Sequence, residues 1–167
     1  MCSIEKLGSK LDAFLKTNQI SGDNYGCARY SNFTKQRCLE EIEDLGKKLQ
    51  ATHTLDEDYL LVSDQIKKWK RRLFVIVVLG LKNYRFIHDT YFILIKAKSK
   101  TSYQTYIDVL STLKATINDL RNEKAKELFG FSYEELLLDN KTKQMGEYAN
   151  VIRLLIPERI ADAPVKN

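Results

Sequence analysis

Apolar residues recur every three or four positions over most of the chain, a spacing that predicts amphipathic helices. The first predicted helix covers about residues 3 to 17, and residues 20 to 33 read as a loop rich in Gly, Asn and Ser. Thr34, a residue type that caps helix N-termini, precedes a second helix, and a third begins near Thr54 or Leu55. The third has the clearest apolar stripe, formed by Tyr59, Val62, Ile66, Trp69, Leu73, Ile76 and Gly80.

The segment LFVIVVLGL, residues 73 to 81, is apolar on every side. This pattern predicts the buried end of a central helix. Its β-branched run VIVV is equally compatible with a short buried strand, and that alternative stays open. A bilayer span needs about 20 apolar residues, and this segment runs directly into charged residues, so we expect no membrane association.

The remaining pattern predicts three more helices. A fourth is expected over about residues 84 to 96, followed by the polar turn KSKTS, with Thr101 or Ser102 as the next N-cap. A long helix then ends near Gly130, and the sequence SYEE, from Ser132 to Glu135, is a capping box that opens a last helix to about residue 156. Both prolines of the chain come after that point.

These elements predict an all-α fold, an up-and-down helical bundle of five or six helices. Short connections between consecutive helices favour antiparallel neighbours. We expect a single helical domain over residues 1–156, and a C-terminal tail over residues 157–167 that is frayed or serves as an arm for a partner.

Composition narrows the class of protein. The three cysteines, Cys2, Cys27 and Cys38, match no zinc or redox spacing, and neither His53 nor His88 completes a ligand cluster, so no metal or other cofactor is expected. The N-terminus has no continuous apolar core of a secretory signal, which predicts a cytoplasmic protein. The net charge is +5, and its surplus is central, because residues 51 to 125 hold thirteen basic and eight acidic residues.

Much of that surplus lies in IKKWKRR, where five cations surround a tryptophan. One interpretation is a solvated helix face whose long side chains cover apolar surface. The other is a phosphate-binding patch for nucleic acid, to which Arg85 would also contribute. The cations of the candidate patch are Lys67, Lys68, Lys70, Arg71 and Arg72.

The stretch LKNYRFIHD contains Lys82, Asn83, Arg85 and His88 within seven residues. If it is helical, the first three approach His88. A histidine titrates near neutrality and can move a proton, while adjacent cations steady charge on a phosphate. Such a set suffices for metal-free RNA cleavage; the ordinary alternative is an amphipathic turn with a half-exposed histidine.

LKNYRFIHD resembles the signature of the HEPN superfamily, all-helical domains of toxin–antitoxin and abortive-infection systems. The signature is an Arg, a polar residue, and a His four to six residues after the Arg. The resemblance covers about residues 73 to 130 and implies a homodimer with a composite, metal-free ribonuclease site. It makes His88 the general acid or base, Asn83 an orienting group and Lys82 the phosphate partner.

Lys82 departs from the signature, because lysine lacks the bidentate fork of arginine. The resemblance therefore implies either an endoribonuclease or a weakened member that binds RNA without cutting it. Two alternatives stand beside this HEPN-like protein of a defence or toxin–antitoxin system. One is a non-catalytic helical module that binds a protein partner as a regulator or adaptor, and the other is an inhibitor of phage or host-defence origin.

Overall fold

The computed structural model describes residues 4–16, 30–52, 57–87, 91–98, 100–138 and 142–163. The chain divides into two compact units. Ser31–Phe86 form one, the hairpin unit, and Met1–Tyr30 together with Ile87–Asn167 form the other, the main unit. Compact units are not by themselves separately folding domains, so a single domain over residues 1–156 remains a prediction.

The described residues contain six α-helices and four short strands. A 3-10 turn at Ile4–Lys6 leads into the first helix, β1 pairs with β2, and β3 pairs with β4. In chain order the elements are α1 (Leu7–Lys16), β1 (Tyr30–Thr34), α2 (Lys35–Ala51), α3 (Glu57–Val78), β2 (Asn83–Ile87), β3 (Ile93–Ile95), α4 (Tyr103–Phe129), α5 (Tyr133–Leu138), α6 (Lys143–Leu155) and β4 (Ile160–Asp162).

The hairpin unit is built on α2 and α3, which pack against each other. The backbone N–H of Lys35, at the start of α2, donates to the carbonyl of Lys82, just after α3, at 2.9 Å. The two helices are therefore antiparallel, as their short connection predicts. Their buried residues are Cys38, Leu45, Ile66, Val75 and Ile76.

The apolar segment at residues 73 to 78 is the last part of α3, so the alternative of a buried strand there is wrong. Gly80, predicted to belong to the helical stripe, instead terminates the helix with φ of 65°. The N–H groups of Gly80 and Leu81 donate to the carbonyls of Val77 and Ile76, both at 3.0 Å. This is the Schellman arrangement, which favours glycine because its left-handed backbone is strained for other residues.

In the main unit, α4 is the central element and contacts α1, α5 and α6. Leu113, Ile117 and Leu120 of α4 join Leu11 and Leu15 of α1 in one apolar cluster. A second cluster packs the far end of α4 against the last two helices, through Ala125, Tyr133, Leu136, Ala149 and Ile152.

Part of the predicted tail is the strand β4, which runs parallel to β3 with Ile93 opposite Ile160. Arg121 helps to hold the segment before it. The Nε of this buried arginine donates to the carbonyl of Ile156 at 3.0 Å, and its guanidinium lies 3.8 Å from Glu158. The long-range contacts of a side chain on α4 thus fix the chain beyond the last helix.

Three predicted elements need correction. The expected helix over residues 84 to 96 is wrong, because β2 and β3 lie there. The expected loop over residues 20 to 33 includes the first four residues of β1, and residues 20 to 29 lie outside the described ranges. The expected last helix is two: α5 ends at Leu138, and α6 begins at Lys143, within the polar segment DNKTKQ. The chain is thus mainly helical, with two small sheets that an all-α bundle lacks.

The predicted helix caps are confirmed. Thr34 and Ser102 accept N-cap hydrogen bonds from the third residues of α2 and α4. Gly130 ends α4 with φ of 78°. Ser132 and Glu135 form the capping box at the start of α5.

Candidate functional site

An open groove of about 620 Å³ lies in the hairpin unit, between the start of α2 and the end of α3. Its floor is apolar and its rim is basic and amide-bearing. The lining residues are Thr34, Lys35, Gln36, Leu39, Ile76, Val77, Gly80, Leu81, Lys82 and Asn83.

Three local features shape the groove. Thr34 Oγ1 accepts the N–H of Arg37 at 3.1 Å and thereby starts α2 at Lys35. The left-handed backbone of Gly80 turns the chain at the end of α3. The hydrogen bond between Lys35 and Lys82 then fixes the start of β2 beside the start of α2.

The rim of the groove is cationic. Lys35 and Lys82 are exposed, as are the amide side chains of Gln36 and Asn83, and the Gln36 amide donates to the Glu40 carboxylate beside the groove at 2.7 Å. Among the described residues that line the groove, none is acidic. Ammonium and amide groups are donors suited to phosphate oxygens, and amides also bond to base edges.

Next to the groove in sequence is a cluster of aromatic rings and arginines. Phe33 and Trp69 meet edge to face with ring centroids 5.4 Å apart. The Arg72 guanidinium carbon lies 4.1 Å from the Phe33 ring centroid and 4.8 Å from that of Trp69, and Arg37 lies within 6 Å of both. These contacts are cation–π interactions, so Arg72 covers half-buried rings of the hairpin unit.

Cys38 lies near the same two arginines. Its side chain is fully buried, and this burial raises the pKa of its thiol, while the charges of Arg72 and Arg37 act in the opposite direction. Because the thiolate is the reactive form, the raised pKa favours an inert structural cysteine.

The other predicted cations of α3 point to solvent. Lys67, Lys68, Lys70 and Arg71 are exposed, and Lys67 pairs with Asp64 at 2.9 Å, which lowers the pKa of that carboxyl. Lys70 precedes Val77 by seven residues, about two helical turns, so it lies on the same face of α3 as this groove residue. Lys70 therefore extends the basic rim along the helix.

The structure brings together two of the three predicted catalytic residues and does not describe the third. Lys82 and Asn83 both line the groove, whereas His88 lies outside the described residues. The helical arrangement assumed for Lys82, Asn83 and Arg85 around His88 is wrong at residues 83 to 87, which form β2. Arg85 is half-buried in that strand.

Sequence reasoning missed Lys35 and Gln36 as site residues. Thr34 predicts the start of a helix, so both residues are expected in its first turn. Nothing in the local pattern, however, indicates that β1 pairs with β2 and brings this turn beside Lys82, because the pairing joins segments about fifty residues apart.

The described part of the chain contains no group of three or more His, Cys, Asp or Glu residues that could hold a metal ion. None of its helices combines the length and the apolar character needed to cross a bilayer.

The comparisons with known proteins add no relative to this description. No protein-family model matches the chain, and neither a curated protein nor a solved structure is detectably similar to it.

Proposed function

We propose that the chain binds RNA through the groove of the hairpin unit. The observation that carries this proposal is the rim, where the exposed side chains of Lys35, Lys82, Gln36 and Asn83 line one groove and none of the described lining residues is acidic. Clustered cations gain affinity for nucleic acid by releasing counterions from its phosphates. Lys70, on the same face of α3 as Val77, would extend the contact surface for a bound RNA strand.

The experiment compares two doubly substituted proteins for binding to a short single-stranded RNA at several salt concentrations. Lys35→Ala with Lys82→Ala should weaken binding and reduce the slope of log affinity against log salt by about 1.4, since each phosphate contact on a single strand contributes about 0.7. The matched control is Lys47→Ala with Lys48→Ala, which removes the same charge from the other end of α2. Equal losses in the two proteins would show that only net charge matters and would reject the groove as the binding site.

The resemblance to the HEPN superfamily extends this proposal from binding to cleavage. His88 as acid or base, Asn83 as orienting group and Lys82 as phosphate partner remain predictions, as does a role in a defence or toxin–antitoxin system. RNA degradation in EDTA by the unaltered protein but not by His88→Ala would support them. Lys82→Arg should then cut faster, because arginine holds a phosphate in two parallel hydrogen bonds.

If the unaltered protein and His88→Ala treat RNA alike, His88 is not a catalyst. The groove can still bind RNA in that case, since binding requires only its rim. The second candidate function, a helical module that binds a protein, is favoured by a different observation: Leu39, Val77 and Leu81 of the groove are exposed.

A further inference from the structure

Five large apolar side chains are exposed among the described residues of the hairpin unit, and they fall into two patches. The groove patch consists of Leu39, Val77 and Leu81, which are 44%, 54% and 43% exposed. The helix patch consists of Leu60 and Leu61 in the first turns of α3, which are 67% and 62% exposed. Clustered exposed apolar residues within polar surroundings are typical of interaction surfaces.

The two patches have opposite charges. Lys35 and Lys82 flank the groove patch, and none of the described residues that line the groove is acidic. Glu57 and Asp58, both exposed, lie within one helical turn of the leucines of the helix patch, whereas the nearest cations that follow on this face, Lys67 and Lys68, are about two turns away. Opposite charges around two apolar surfaces favour their association and disfavour the pairing of either patch with its own copy.

The two patches of one chain lie far apart. Val77 follows Leu60 by seventeen positions in one continuous helix, a rise of about 25 Å at 1.5 Å per residue. They also point in different directions, because seventeen steps of about 100° rotate the second residue by about 100° from the first. A rigid helix therefore prevents these surfaces from meeting within one molecule.

We propose that the helix patch of one molecule docks into the groove patch of a second copy of this chain. Leu60 and Leu61 lie against Leu39, Val77 and Leu81, while Glu57 and Asp58 face Lys35 and Lys82. Because two different surfaces meet, the association is head to tail, and the assembly keeps one unused patch at each of its two ends. This inference does not depend on RNA binding, although RNA in the groove would compete with the second copy.

Sedimentation equilibrium of the full chain over a wide concentration range tests the proposal. The mean mass should rise above the 19.4 kDa of one chain as concentration increases. Two charge-reversed proteins, Lys35→Glu with Lys82→Glu and Glu57→Lys with Asp58→Lys, should each remain monomeric. Their equimolar mixture should associate again, because each supplies the charge that the other has lost.

A control and a second pair of substitutions keep the test independent of folding and of total charge. Lys126→Glu with Lys143→Glu reverses two exposed lysines of the main unit and should leave self-association unchanged. Leu60→Ser with Leu61→Ser changes only exposed side chains, so it should abolish association while the circular dichroism spectrum stays that of the unaltered protein.

The proposal is overturned if the unaltered protein stays monomeric at all concentrations, or if the mixture of reversed proteins stays monomeric while both are folded. A monomeric protein that loses RNA affinity on Lys35→Glu with Lys82→Glu would overturn self-association and leave the proposed RNA site standing. Self-association without any RNA binding would overturn the proposed RNA site and leave self-association standing.

Discussion

Glu135 and Ser132 satisfy each other's hydrogen bonds at the start of α5. The Glu135 carboxylate accepts from the backbone N–H and the hydroxyl of Ser132 at 2.6 and 2.7 Å, and the Ser132 oxygen accepts the N–H of Glu135 at 3.2 Å. The hydrogen bonds from Ser132 lower the pKa of the Glu135 carboxyl below its usual value. α5 has only six residues, so its formation depends strongly on this cap.

We therefore expect Ser132→Ala to reduce the free energy of unfolding by about 1 kcal/mol at neutral pH. A carboxyl whose pKa is lowered in the folded state stabilises the protein above its unfolded pKa and loses this contribution as pH falls through the folded value. The cost of Ser132→Ala should accordingly shrink in acid. Urea unfolding at neutral pH and at about pH 3 measures both costs.

Ser111→Ala is the control for this cap, since Ser111 is exposed in the interior of α4, where alanine is the better helix former. It should not destabilise the protein. A loss of stability for Ser132→Ala that is the same at both pH values would contradict the role assigned to Glu135.

At the same scale, the candidate site shows what local patterns can predict. Lys82 and Asn83 stand out in the sequence because basic, amide and histidine side chains crowd into one short stretch. Lys35 and Gln36 do not, because what brings them to the site is a backbone hydrogen bond to Lys82 across the hairpin unit. Residue types indicate possible chemistry, whereas the sequence of either segment does not show which distant backbone group it will pair with.

At the scale of elements, two glycines of the hairpin unit have opposite effects. Gly46 lies in the interior of α2 with no atom within 4 Å of an added Cβ, so Gly46→Ala should stabilise the unit by about 1 kcal/mol. Gly80 also has open space around it, but its φ is 65°. Gly80→Ala should destabilise the unit by about 1 kcal/mol, because an L side chain strains that backbone.

Urea unfolding followed by the fluorescence of Trp69, the only tryptophan of the chain, measures both changes in the hairpin unit. Both substitutions add the same single methyl group, so the difference between them isolates backbone conformation. The same sign for the two would show that the helix does not end at Gly80 as described.

Most of the helices follow from the sequence, because a stripe of apolar residues and a capping residue are both local signals. The strands do not. β2 and β3 are five and three residues long, and their hydrogen-bond partners, β1 and β4, lie far away in the chain. Phe92 and Leu94 are exposed while Ile93 and Ile95 pack on the core, a period of two that is too short to distinguish from a helix turn.

At the scale of the whole molecule, the two compact units raise the question of whether they unfold cooperatively, which can be measured. Trp69 reports on the hairpin unit, whereas far-ultraviolet circular dichroism reports on the helices of both units. If residues 1–156 form one domain, as the sequence predicts, the two signals should show the same unfolding transition.

Ile152→Ala makes this test sharper. The side chain is fully buried in the main unit, so its truncation should cost about 2–5 kcal/mol. In a single cooperative domain, the substitution should shift the Trp69 transition as well. A Trp69 transition that is unchanged by Ile152→Ala would show that the hairpin unit unfolds on its own. Leu138→Ala, at a largely exposed position of α5, is the control with little expected effect.

Because Cys38 is buried, the labelling of its thiol can report on the opening of the hairpin unit. An alkylating reagent can reach the sulfur only while α2 is separated from α3, so the labelling rate measures how often this separation occurs. In a chain with Cys2→Ser and Cys27→Ser, Cys38 is the single thiol that can react. A ligand that occupies the groove should lengthen the interval between openings, so the same slow reaction would detect binding without any label on the ligand.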